Sequence, residues 1–299
     1  MKALANYAMR GRLQAMMLSS AFAVLSMILP PLSYISGAVV SLVTMRRGLQ
    51  DGALIALGAT AALAAVSLIS AGNIVVAMVF ALLVWLPVWI LSAVLRKTVS
   101  LPFTLSVATL MVMLGVAVFH GATGDVVAWW GDVLEKVFAE ALRQPGMSNM
   151  GMILDNAPQF MTVLMATAFF VSLILSLFLA RWWQAALYNP GGFQKEFHAF
   201  RLDKSTATLG MTVILFAIVS ASPGQLVYDL AIVVGIFASI SGVSLVHHWV
   251  AETEANKGWL ILMYLLLAFV APQILLVLAI LGFADAWLSI RRFYAKPAE

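Results

Sequence analysis

The sequence contains no cysteine and few charged residues. The missing cysteine excludes disulfides, thiolate zinc sites, iron–sulfur clusters and a cysteine nucleophile. Only 10% of the 299 residues are charged and 63% are hydrophobic, whereas a soluble domain has about 25% charged residues. A water-soluble core cannot hide this much apolar surface, so we interpret the chain as a polytopic α-helical membrane protein.

Several catalytic motifs are also missing from the sequence. It has no G-x-x-x-x-G-K-[S/T], no H-E-x-x-H and no G-x-S-x-G, which excludes the nucleotide-binding, zinc-protease and serine-hydrolase sites that these spacings build. We therefore expect no ATPase activity of its own, no cofactor and no enzymatic function. The net charge of +4 is spread between the apolar runs rather than gathered in a basic groove, so we expect no nucleic-acid partner.

The apolar residues form long runs that predict membrane helices. The runs lie at about 13–29, 32–45, 52–71, 74–95, 100–120, 158–180, 206–222, 226–249 and 258–284. About 20 helical residues cross a bilayer, which predicts an all-α transmembrane bundle of about eight to ten membrane segments. We expect one integral membrane domain over 1–299, with six helices in 1–180, a cytoplasmic interfacial segment at 181–204 and additional helices in 205–299.

The positive charges predict the orientation of these helices. The long segment 121–157 carries only Lys136 and Arg143 against five acidic residues, so it is predicted to lie outside and the N-terminus in the cytoplasm. The last run is too long for one ordinary crossing. We favour a break at Pro272, which brings the C-terminus back inside, over a single crossing. This pattern is typical of a bacterial inner-membrane protein.

One amphipathic helix is predicted on each side of the membrane. On the outside, Val126, Trp130, Val133 and Val137 recur at helical spacing within 125–143. On the inside, an Asn-Pro-Gly-Gly turn predicts a helix–turn–helix that faces the bilayer surface or a protein partner. Its predicted interface residues are Trp182, Trp183, Tyr188, Phe193, Phe197, Phe200 and Arg201.

Three residues within apolar runs are candidates for ligand binding. Trp85 and Trp89 share a helical face around the helix-breaking Pro87 and can form a platform for an apolar or cationic ligand, although simple packing is the more common role of such a pair. Asp229 is an ionisable residue at membrane depth, where a charge is costly and therefore has a function or a partner; alternatively it is tolerated at the positive end of its helix.

Other polar and small residues have simpler interpretations. Asp285 is expected to pair with the C-terminal arginines, and His120 and the pair His247-His248 are expected to cap helix ends at the interface. Small residues at i, i+4 in 52–72 and 235–244, such as Ala238 and Gly242, predict close helix packing.

Four segments together resemble a known family. They are PPLSYISGAVVSLVTMRRGLQDG (30–52), ARWWQAALYNPGGFQKEFHAFRL (180–202), SISGVSLVHHW (239–249) and ILGFADAWLSIRR (280–292). The pattern resembles the YybS-like bacterial membrane proteins, a family of unknown function. The first six runs are also distantly similar to the S components of energy-coupling-factor transporters, which implies small-molecule binding with the help of a separate ATPase. No substrate residue carries over from that similarity.

Two functions remain open from the sequence. The leading hypothesis is a membrane protein that binds or transports a small molecule without its own ATPase. The alternative is a non-catalytic scaffold or assembly partner of another complex. Both imply contact with the lipid bilayer, and both are compatible with a cytoplasmic or membrane protein partner or with a homo-oligomer.

Overall fold

The computed structural model describes residues 1–142 and 155–293. Within these ranges the chain is 87% helical and has no strand, which confirms the all-α fold class. The α-helices of these ranges are α1 (Lys2–Arg10), α2 (Arg12–Leu25), α3 (Leu32–Arg47), α4 (Leu49–Ala71), α5 (Val75–Phe80), α6 (Leu86–Thr98), α7 (Leu101–Thr123), α8 (Val126–Leu142), α9 (Pro158–Tyr188), α10 (Gly192–Ala199), α11 (Lys204–Ser220), α12 (Leu226–Glu252), α13 (Gly258–Phe269) and α14 (Ala271–Leu288). A π-helical turn, Ala81–Trp85, joins α5 to α6, and a 3-10 turn, Ile290–Phe293, follows α14.

The lengths and composition of the helices agree with a membrane protein. Six segments of the described ranges are long and apolar enough to cross a bilayer, or seven if α10 and α11 form one bent span. Large apolar side chains on them are exposed, as Ile69 and Val219 are at 88%, which lipid tolerates and water does not. The number is below the predicted eight to ten because α2, α3 and α13 have 14, 16 and 12 residues.

The chain forms two compact units. The first contains Met1–Ala108 and Phe169–Phe197, and the second contains Thr109–Ala168 and His198–Glu299. The predictions of a single membrane domain and of a cytoplasmic N-terminus stay predictions.

In the first unit α3 is the innermost helix. Every residue from Ser36 to Met45 is buried. Polar side chains on α3 bond to its neighbours: Ser36 Oγ lies 3.1 Å from Ser19 Oγ on α2, and Ser92 Oγ on α6 donates to Ser41 Oγ at 2.6 Å. These hydrogen bonds satisfy the buried hydroxyl groups of Ser36 and Ser41. The helix can therefore lie in the interior of the unit although it contains serines.

The helix that carries the two candidate tryptophans is interrupted, as the proline predicted. The interruption is a π-helical turn that ends at Trp85, where the N–H of Leu86 bonds to the carbonyl of Ala81. Pro87 follows at once. Proline cannot donate a backbone hydrogen bond and crowds the preceding turn, so the extra residue of the π-turn relieves that conflict.

In the second unit α12 and α14 cross with their backbones in near contact. A Cβ added to Gly242 would meet the backbone of Leu278, and one added to Gly282 would meet the backbone of Ala238. Two glycines facing each other allow this approach. The small-residue face predicted at Ala238 and Gly242 is confirmed, and Gly282 is the partner that it packs against.

The segment after α12 folds back as a hairpin. Near the start of α13, Trp259 contacts Trp249 with ring centroids 6.0 Å apart. After the end of α14, Arg291 donates a hydrogen bond to Ser244 Oγ at 3.3 Å. Both ends of the segment therefore lie at the C-terminal end of α12. The break is at Val270, two residues before Pro272, and it agrees with the predicted return.

The amphipathic helix predicted at 125–143 is α8. Its inward residues are Val126 and Leu134, which are buried. Val137 lies on the same helical face, three residues after Leu134, but it is 68% exposed, so the burial of this face ends before Val137.

Candidate functional site

Asp229 lies in the first turn of α12, and its side chain is fully buried. The sequence analysis placed it at membrane depth within an apolar run. The structure instead begins the helix at Leu226, after a turn in which Gly224 has φ +84°. Only glycine adopts that conformation readily. The carboxylate is consequently close to the positive end of the helix, the position expected of an ionisable residue tolerated there.

His120, near the end of α7, is the partner of Asp229. Its Nε2 lies 2.8 Å from Asp229 Oδ2, and its side chain is 11% exposed. The sequence analysis gave this histidine only a capping role at the interface. The two residues are 109 positions apart, and no spacing rule for one helix connects residues on two distant helices.

Among the described residues, one of the two carboxylate oxygens of Asp229 has a partner. No donor among the described residues reaches the buried Oδ1. The helix N-terminus stabilises an anion by about 0.3–1 kcal/mol, and by up to about 2 kcal/mol in favourable geometries. Burying a charge costs several kcal/mol. The helix dipole alone therefore does not offset the burial, and His120 offsets it at one oxygen only.

Three aromatic residues surround the end of α7 and the beginning of α8. The ring centroids of Phe119 and Trp129 are 5.2 Å apart, and those of Trp129 and Trp130 are 4.8 Å apart, both pairs edge to face. The indole N–H of Trp130 donates to Thr162 Oγ1 on α9 at 3.0 Å. Edge-to-face pairs of this kind are favourable beyond their burial, so the cluster holds α7, α8 and α9 together beside His120.

The turn before α12 packs at the same end. A Cβ on Gly224 would meet the side chain of Val127 on α8 and the backbone of Gln159 on α9. Together with the bond from Trp130, this contact brings α7, α8, α9 and α12 to one place. At that place Asp229 is a buried carboxylate and His120 is a part-buried imidazole, and Phe119 of the aromatic cluster directly precedes His120 in the chain.

Trp85 and Trp89 are held by hydrogen bonds within the first unit. Trp85 is fully buried, and its indole N–H donates to Ser36 Oγ at 3.0 Å. The half-buried Trp89 donates to the carbonyl of Leu49 at 3.0 Å. These contacts are those of packed residues that tie three helices together. The ligand-binding role predicted for the two tryptophans stays a prediction.

The second buried carboxylate, Asp285, is fully paired. Arg291 Nε donates to its Oδ2 at 2.7 Å, which confirms the expected pairing with the C-terminal arginines. The same guanidinium also donates to the carbonyl oxygens of His198 and Phe200 and to Ser244 Oγ. This contact clamps the C-terminal end of α14 to the chain between α10 and α11, and it contrasts with the half-satisfied Asp229.

His247 and His248 are adjacent near the C-terminal end of α12. His247 Nε2 lies 2.9 Å from the hydroxyl of Tyr264. In the described parts of the chain no three His, Asp or Glu side chains are grouped so that they could hold a metal ion. The predicted role as polar caps of the helix end is compatible with these contacts.

The interfacial segment forms the predicted helix–turn–helix. Helix α10 folds back on the end of α9, because the rings of Phe193 and Phe197 each lie 5.5 Å from the ring of Phe178. Arg181 binds both carboxylate oxygens of Glu196 across the turn. Phe193 and Phe197 are therefore half-buried against α9 and offer less surface to a membrane or a partner than the sequence suggested.

The other predicted interface residues differ in how far their side chains are buried. Trp183 and Phe200 are buried, so they pack inside the protein instead of facing the surface predicted for them. Trp182 and Tyr188 are 43% and 45% exposed. Arg201 is exposed and donates to Ser289 Oγ at 3.4 Å. Two adjacent tryptophans on a helix point in different directions, which explains why only one of Trp182 and Trp183 can face outward.

The apolar helices and the all-α fold define a polytopic α-helical membrane protein. A family model described as "Predicted membrane protein (DUF2232)" matches residues 17–286. The chain belongs to this family, because the match covers most of its length. Comparison with curated proteins and with solved structures returned no match.

Proposed function

We propose that this protein binds or transports a small molecule in the membrane and has no ATPase of its own. The observation that carries the proposal is Asp229, a fully buried carboxylate with one oxygen that no described residue satisfies. Ionisable residues in membrane segments are expensive, and they mark substrate or ion pathways more often than they stabilise a fold. Asp285 shows that this chain can bury a carboxylate with full pairing, so the incomplete pairing of Asp229 calls for a functional reason.

Asp229 and the aromatic residues at the end of α7 suit a particular ligand chemistry. A carboxylate oxygen without a donor attracts a group that donates a hydrogen bond or carries a positive charge. The neighbouring rings of Phe119, Trp129 and Trp130 attract cations and apolar groups through their faces and edges. Pockets of small-molecule sites combine such apolar walls with few polar groups. We therefore favour a small ligand with an apolar body and a donor or cationic group.

The resemblance to other membrane proteins supports the same class of function. The chain resembles YybS-like proteins, and its first six apolar runs are distantly similar to S components, which bind small molecules and depend on separate ATPases. Asp229 lies in the helices that follow those runs. We accordingly propose small-molecule binding or transport in the bacterial inner membrane on the basis of that similarity, and we propose Asp229 as the site because its carboxylate is buried.

Native mass spectrometry of the detergent-purified protein tests this function. We expect a small molecule to co-purify with the wild type and with Asp125→Asn, which removes an exposed carboxylate before α8. We expect it to be lost from Asp229→Asn, whose neutral amide keeps the shape of the side chain. Equal binding by all three proteins would contradict the assigned site, and a wild type that carries no ligand but a stoichiometric protein partner would contradict the function.

A scaffold function is the second candidate, and exposed aromatics favour it. Trp182 and Tyr188 stay 43% and 45% exposed beside the turn that ends α9, where aromatic residues can anchor a partner. Replacing both by Ser should release such a partner in a pull-down while Asp229→Asn leaves it bound. Unchanged recovery of the partner would leave these residues as a membrane belt. Under either function we propose that the chain is not an enzyme.

A further inference from the structure

We infer that Asp229 and His120 form a proton-binding site that takes up one proton when the site is closed and returns it to solvent when the site opens. The inference rests on the proposed function, because it names the proton as the ion linked to ligand binding at the same residues. The step is a simple protonation. The carboxylate–imidazole pair with net charge −1 gains H⁺ from water and becomes neutral as a pair.

The geometry of the unsatisfied oxygen selects the proton among cations. Asp229 Oδ1 is buried, and no donor among the described residues reaches it. A metal ion or an ammonium group would need several ångströms of space and further ligands there. A proton needs neither, because it joins the carboxylate at Oδ2, facing His120, and removes the charge from Oδ1 without moving any neighbouring atom. In the closed arrangement, the proton is thus the cation that fits this carboxylate.

His120 can accept a hydrogen bond from the protonated carboxyl group. Its Nε2 lies 2.8 Å from Asp229 Oδ2, the distance of a hydrogen bond between a carboxyl group and an imidazole. The added proton stays on Asp229 at Oδ2, which then donates to Nε2, because an ion pair would keep two charges in this buried position. The pair then carries no net charge.

The pair is isolated from other charges. His120 is the titratable side chain that acts on Asp229 in the described structure. Tyr228, next to Asp229, is half-buried. The other described ionisable side chains of α8 and of the segments beside it are exposed, namely Asp125, Asp132, Glu135, Lys136 and Asp155. The helices α11 and α14 also pack on α12. Their buried carboxylate, Asp285, is bound by Arg291 near Ser244, in the C-terminal half of α12. No fixed cation among the described residues neutralises Asp229, so a proton has that role.

Opening of the site explains why the proton would be exchanged. When water or a donor group of the ligand reaches Oδ1, the carboxylate no longer needs a proton to avoid an unpaired buried charge. Ligand binding and proton release are then linked, as any two ligands that compete for one group must be. In the absence of a ligand, the closed site holds its proton.

Infrared difference spectroscopy of the purified full-length protein tests this inference. As the pH is lowered, we expect the carbonyl band of a protonated carboxylic acid to appear in the wild type and in Asp125→Asn. We expect Asp229→Asn to lose this band. His120→Gln should keep it but shift its midpoint by about one pH unit or more, which is a tenfold change in proton affinity. Asp285 is present in every variant and serves as a constant background.

Two results would overturn the proton site. One is a difference spectrum of Asp229→Asn that equals the wild-type spectrum. The other is a wild type without any titrating carboxyl band, which would describe a permanent ion pair. If Asp229→Asn does not fold, the midpoint of folded His120→Gln decides, and an unchanged midpoint contradicts the inference.

The outcomes also separate this inference from the proposed function. A small molecule that is lost from Asp229→Asn, in a protein whose carboxyl band does not titrate, would contradict the proton site and leave the function standing. A titrating band in a protein that never carries a small molecule would support the proton site and contradict the ligand-binding function.

Discussion

The crossing of α12 and α14 allows a prediction with an internal control on one helix. Gly242→Ala adds a Cβ that would meet the backbone of Leu278, which cannot move away as a flexible side chain can. Gly235 lies two turns earlier on α12, and a Cβ there would meet no atom within 4 Å. The two substitutions are chemically identical and differ in what the new methyl group contacts.

The difference between the two variants isolates the packing energy. In a helix interior, alanine is more favourable than glycine by about 0.5–1 kcal/mol, and this gain is common to both variants. Gly235→Ala should thus be neutral or stabilising by up to about 1 kcal/mol. Forcing an extra carbon into a packed contact costs about 1–3 kcal/mol. Gly242→Ala should therefore be less stable than Gly235→Ala by about 1–3 kcal/mol.

The assay is equilibrium unfolding in detergent, followed by tryptophan fluorescence and repeated at several detergent concentrations. The expected order of stability is Gly235→Ala, then wild type, then Gly242→Ala. Gly282→Ala should resemble Gly242→Ala because its Cβ would meet the backbone of Ala238. Equal stability of Gly242→Ala and Gly235→Ala would refute the close backbone crossing.

Two further substitutions test polar contacts in the second unit. Arg291→Ala leaves the buried Asp285 without its cation and should lower the free energy of unfolding by about 3–5 kcal/mol. Arg292 is an exposed neighbour, and Arg292→Ala should change that free energy by less than about 0.5 kcal/mol. Similar losses in both variants would contradict the clamp formed by Arg291. Asp203→Ala removes the N-cap of α11 and should cost about 1 kcal/mol at neutral pH. Hydrogen bonds from Thr206 lower the pKa of Asp203, so its contribution is complete above the ordinary carboxyl pKa of about 3.9 and is lost as the pH falls through the lower folded value. Stabilities that already converge at about pH 5 would contradict this role.

The membrane class and most helices could be predicted because the bilayer leaves the chain few choices. In lipid every backbone N–H and C=O needs an internal partner, so a long apolar run becomes a helix. The position of α8 followed from its amphipathic spacing, and the interruption before α6 followed from Pro87. Packing partners were harder to predict: Gly242 signals a close approach, but nothing in its own helix indicates that Gly282 is the residue opposite.

The two buried carboxylates show where prediction from the sequence ends. Asp285 could be paired with Arg291 because the two are six residues apart and share one helix end. The burial of Asp229 could be recognised as energetically costly. Its partner lies 109 residues away on another helix, and a single sequence does not show which distant residues come into contact. An apolar run thus reveals that a charge must be compensated, while the fold determines how completely. The described residues provide a partner for one oxygen of Asp229 and none for the other. That difference from Asp285 makes this carboxylate, rather than Trp85 or Trp89, the residue with which a test of function should begin.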